Sequence, residues 1–183
     1  MTTKRHGLLD LARHPSTLLA EIFEAGAAAG LIGGVAMALF ASLYEAARGA
    51  GFWTPLEAIA TTVLRASTLQ VGVGPVLLGL AFHLIVSMFF GVLFSLIVSR
   101  DVAPAPALAF GTFAGLSVLV IMSLVVVPAE NPAGVRLMWG SAPSAVPVSI
   151  AFVMHMIYGA GLSLTPALRR HHHVETLPVT EGR

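Results

Sequence analysis

Four long stretches without a charged residue dominate the chain: Ala25–Tyr44, Val71–Ser99, Val102–Ala129 and Leu137–Leu168. Each is long enough for the ~20 residues that carry a helix across a bilayer, the later ones including some flanking loop. They predict four transmembrane helices, near 25–45, 76–98, 106–127 and 146–167. Small residues recur within them at every fourth position, which places them in one ribbon on a helix. The first span carries Gly26, Gly30, Gly34, Ala38 and Ser42, and the second Gly79, His83, Ser87, Gly91, Ser95 and Ser99. The third carries Ala103, Ala107, Gly111 and Gly115, and the fourth Ala151, His155, Gly159, Ser163 and Ala167. Such ribbons let membrane helices approach closely. Gly26, Gly30, Gly34, Gly79, Ser87, Gly91, Gly111, Gly115, Ala151 and Gly159 are therefore expected at helix contacts, with His83 and His155 facing protein.

The polar segments divide the rest. Residues 1–24 mix apolar side chains with Asp10, Arg13, Glu21 and Glu24 and read as a cytoplasmic or interfacial lead-in interrupted at Pro15. In the first loop Thr54-Pro55-Leu56-Glu57 has the capping-box pattern, with Pro at the first helical position. Leu56, Ile59, Ala60 and Val63 then share one face, and Glu57, Thr61 and Arg65 another. This predicts a short amphipathic helix, lying on the outer membrane surface or packed over the bundle. The second loop is tight, Ser99-Arg100-Asp101. The third runs from Pro128 to Pro143 and holds a single Asn131-Pro132-Ala133, which reads as a turn. Residues 169–183 form a cytoplasmic tail whose His171-His172-His173 run has no fixed metal-binding geometry.

The spans also read as a duplicated helical hairpin. Gly26-Ala27-Ala28-Ala29-Gly30-Leu31 matches Gly111-Thr112-Phe113-Ala114-Gly115-Leu116 as G-x-x-A-G-L, and the same offset aligns Met37 with Met122 and Glu45 with Glu130. His83-Leu84-Ile85-Val86-Ser87 aligns with His155-Met156-Ile157-Tyr158-Gly159. The expected architecture is an all-α membrane domain over 25–168, a four-helix bundle built from repeats 25–99 and 104–168. Two His and two Met then fall in one layer of the interior. The G-x-x-A-G first helices and His-centred second helices resemble a widespread group of small four-helix bacterial inner-membrane proteins. That resemblance implies the fold and a bacterial inner membrane, and no activity.

Composition narrows the class. Charged residues are 10% of the chain and hydrophobic ones 56%, against a usual charged share of about 25%, so the lipid bilayer is the expected partner. A net charge of +1 without a basic stripe argues against nucleic acid, and without cysteine there is no disulfide or thiolate metal site. Lys4, Arg5, Arg13, Arg100, Arg169, Arg170 and Arg183 fall on one side of the predicted spans and Arg48, Arg65 and Arg136 on the other. The positive-inside rule then puts both termini in the cytoplasm.

No Ser/His/Asp set, core carboxylate pair, HExxH or P-loop is present, so a non-enzymatic role is expected. Three roles suit the histidines. They can hydrogen-bond across helices in a packing or assembly module, in which case ribbons in excess of what one bundle hides imply a homo-oligomer or another membrane subunit. They can ligate a haem-type tetrapyrrole through His83 and His155, with Met37 or Met122 as substitute ligand and with Gly79 and Ala151 leaving room for a flat ring. They can line a path for a small solute or protons, where, with no other ionisable group expected within the spans, coupling rests on histidine alone.

Overall fold

The computed structural model describes residues 15–132 and 146–175. Their regular elements are all helical: α1 Pro15–Ala47, α2 Thr54–Val63, α3 Val73–Ile97, α4 Pro104–Ile121, a π turn Met122–Val126, α5 Val127–Glu130, α6 Val148–Leu162 and α7 Thr165–Glu175. Four stretches are long and apolar enough to cross a membrane: Leu18–Ala47, Val73–Ile97, Pro104–Glu130 and Val148–His171. Lys4, Arg5, Ala133, Arg136, Pro143 and Arg183 lie outside the described residues, as do the side chains of His172 and His173.

The first span begins earlier than its charge-free run. From Pro15 onward the expected lead-in is simply the first turns of α1. Glu21 is tolerated there because Arg169 Nε donates to its Oε1 at 3.0 Å, with both side chains buried. Arg169 Nη1 also donates to the carbonyls of Ser95 (3.1 Å) and Val98 (2.7 Å), which α3 leaves without partners at its C-terminus. Arg170 Nη1 donates to the Arg100 carbonyl at 2.7 Å. These two arginines, expected in a solvated tail, belong to a helix and clamp the ends of α1, α3 and α7.

The helices form an open row. Helix α1 packs along α3 on one side and α6 on the other, and α4 packs along α6. Helices α3 and α4, consecutive in the chain, make only marginal contact. The close crossings run through small residues. Gly26 and Gly30 meet Gly91 and Ser87, Gly33 meets Gly161, and Gly111 and Gly115 meet Gly159 and the backbone of His155. A Cβ on Gly91 would collide with the Gly26 carbonyl oxygen. All ten small residues named above are buried. The contacts just described lie within one chain, while Ser99, Ala103 and Ala167 of the same ribbons are exposed.

Helix α2 is docked on α3, its Leu56 carbonyl seated against Gly79. The capping box does not form. Thr54 Oγ1 donates back to the Ala50 carbonyl at 2.7 Å, and Glu57 Oε1 accepts from the Gly72 N–H at 3.1 Å. Thr61, expected on the polar face, is buried and accepts from the Gln70 N–H at 2.8 Å. Asn131 fixes the far side of this cap, donating from Nδ2 to the carbonyls of Ala66 (3.0 Å) and Thr61 (3.3 Å).

The third span does not stop at Pro128. Proline cannot donate to the carbonyl four residues back, and its ring crowds that oxygen. The turn before it widens instead, with the Val127 N–H bonded to the Met122 carbonyl, and the helix continues to Glu130. The α1–α3 pair has no matching π turn, so the two hairpins differ in detail where the sequence reads them as repeats.

Candidate functional site

Helices α1, α3, α4 and α6 surround a cavity of about 190 Å³ roofed by α2. His83, His155, Met37 and Met122 all line it. His83 lies ten residues from Val73, about 15 Å along α3, and His155 seven residues from Val148, about 10 Å along α6. Both therefore sit well inside the apolar length of their helices. Pro55, Leu56 and Ile59 form part of the roof; Val86, Phe90 and Val118 are among the walls. Below lies an apolar cluster of Phe94, Val98, Tyr158 and Leu162.

The imidazoles are oriented by backbone carbonyls. His83 Nε2 lies 3.0 Å from the Gly34 oxygen, and His155 Nδ1 lies 2.8 Å from the Ala151 oxygen one turn earlier in its own helix. A carbonyl only accepts, so the nitrogen facing it carries the proton in each neutral ring. His83 Nδ1 and His155 Nε2 are then acceptors. Gly34 brings the α1 backbone close enough for the first of these bonds, since a Cβ there would press on Ser87 and approach His83 Nε2 at 3.7 Å. Tyr158, another lining residue, donates its hydroxyl to the Ser87 carbonyl at 2.7 Å and ties α6 to α3.

The site has little room for a tetrapyrrole. The space beside Gly79 is occupied by Leu56 of α2, and Nε2 of His83 is engaged with Gly34. Apolar cavities of about 150 Å³ accept benzene, whereas drug-sized ligands need about 300 Å³ or more. At 190 Å³ the cavity matches one substituted ring. No group of three or more His, Cys, Asp or Glu among the described residues is placed to hold a metal ion. His171 lies on α7.

Sequence comparison adds no relative: the chain matches no protein-family model, no curated protein and no solved structure.

Two features escaped the sequence reading. The π turn contributes Met122 and Ser123 to the cavity wall, and π turns recur at functional sites; Pro128 just after an apolar run was its signal. The second is Glu45, only 1% exposed at the roof end of α1, with neither carboxylate oxygen hydrogen-bonded. Arg48 Nη1 is 3.9 Å away. A hydrogen bond with Tyr44, then the Glu45 charge, push the Arg48 guanidinium further up from its ordinary value. Ionisable groups inside the helical spans are thus not confined to histidine.

Proposed function

We propose that this is a multi-pass membrane protein that binds a small, largely apolar solute in its interior, without catalytic chemistry of its own. The observation that carries the proposal is the cavity, which combines apolar walls, two imidazoles held by backbone carbonyls and a π turn in its lining. Cavities that combine apolar walls with a few convergent polar groups are the usual form of small-molecule sites. A role as a passive assembly module has less support, because the buried glycines of the small-residue ribbons are engaged within the chain.

Toluene, close to benzene in size, should bind saturably to the protein in lipid nanodiscs and raise its unfolding temperature. Val86→Phe, which places a ring in the cavity, should abolish both effects while circular dichroism stays unchanged. Saturable binding that survives Val86→Phe would place the solute elsewhere.

We further propose a bacterial inner membrane, as the resemblance implies, with both termini cytoplasmic on the strength of the lysine and arginine distribution. Ser67 is exposed between α2 and α3, and the protein has no native cysteine. Ser67→Cys should react with an impermeant maleimide on intact spheroplasts. Reaction only after lysis would reverse the orientation.

A further inference from the structure

We infer that the solute is a hydroxylated aromatic molecule dissolved in the bilayer, a phenol or hydroquinone, that reaches the histidines sideways between α3 and α4. The inference rests on the cavity being a binding site and adds the ligand's chemistry.

Hydrogen bonding selects the head group. Each imidazole lines the cavity with its N–H committed to a backbone carbonyl, so what it offers is a lone pair, on Nδ1 of His83 and Nε2 of His155. The Tyr158 hydroxyl is committed to Ser87. Ser87 and Ser123 add hydroxyls to the lining, but the two imidazoles offer only acceptors; they favour a ligand that brings donors, and a carbonyl or ether gains nothing from them. Hydroxyls at opposite ring positions would let one hydroquinone address both histidines.

Size and wall chemistry select the ring. The volume, 190 Å³, exceeds what benzene needs by roughly a substituent or two. Met37, Met122 and Phe90 stand in the lining, and thioether sulfur and aromatic edges both make favourable contacts with a ring.

Topology selects the route. Helices α3 and α4 both contribute wall residues yet barely pack against each other, whereas α1–α3, α1–α6 and α4–α6 are joined. Helix α2 covers the roof and the Phe94 cluster fills the space below. Among the described residues, the side between α3 and α4 is thus the one not sealed by paired backbones, and it faces lipid, where such a molecule and any alkyl tail reside.

The test is calorimetric titration of the protein in nanodiscs, with partition into empty nanodiscs subtracted. The probes are para-pentylphenol, pentylhydroquinone and para-pentylanisole, the last occupying the same space without a hydroxyl donor. The phenol should bind one per chain, about threefold to tenfold tighter than the anisole, as one hydrogen bond predicts, and the hydroquinone tighter than the phenol. In His83→Leu/His155→Leu the preference should vanish while the anisole still binds. His83→Gln/His155→Gln, whose amides both donate and accept, should retain part of it. Equal affinity for phenol and anisole in the native protein overturns the ligand assignment and leaves the binding site standing. Absence of saturable binding by all three probes overturns both.

Discussion

Two buried carboxylates stand near opposite ends of α1, and their surroundings set opposite expectations for their removal. Glu21 is paired with Arg169, which also caps α3. Deleting one member of a buried pair costs about 3–5 kcal/mol when the other is left alone, and here Arg100 Nη1, 3.9 Å from Glu21 Oε2, offsets part of that loss. Arg169→Ala should therefore lower the unfolding temperature sharply, and Glu21→Ala added to it should restore part of the loss. A double variant no better than the single would mean that Arg169 acts through the α3 carbonyls alone. Glu45 has no hydrogen-bond partner and is 1% exposed, a costly arrangement for a charge. Glu45→Leu is expected to be neutral or stabilising, and a large drop in unfolding temperature would contradict this account.

At the scale of elements, the π turn is separable from the fold. It is one residue too many for a regular α-helix, and Leu124 within it is exposed. Deleting Leu124 should let the turn close to α-helix, keeping helix content but reshaping the wall at Met122 and Ser123. Toluene binding should fall at least tenfold with little change in stability; unaltered binding would separate the turn from the cavity. This turn also marks the limit of what the sequence could tell. The four spans were legible because burial in lipid demands long charge-free helices, and small residues at four-residue spacing are compatible with one face. The repeat alignment put His83, His155, Met37 and Met122 in one layer, and all four line one cavity; which helices adjoin around it was not legible, because periodicity within a helix carries no record of its neighbours. Thr54 and Glu57 show the same limit locally, since their capping-box pattern was overridden by partners at Ala50 and Gly72. Arg169 shows it for charge, because a cation that closes a distant helix end looks the same in sequence as one in a solvated tail.

For the whole molecule, the open order α3–α1–α6–α4 fixes which contacts hold the halves together. The join between them includes the α1–α6 crossing at Gly33 and Gly161, Tyr158 on Ser87, Asn131 on Thr61 and Ala66, and the two arginines of α7 on the end of α3. None of these depends on the covalent link at Arg100–Asp101. During synthesis the first hairpin can therefore enter the bilayer and close before the second emerges from the ribosome, the two docking afterwards by lateral diffusion. Genes for residues 1–101 and 102–183, expressed separately in the same cell, should yield fragments that find each other and co-purify one to one. Gly33→Leu in the first fragment should leave it inserted and unable to capture the second, and fragments that never associate would make the connecting turn essential to assembly.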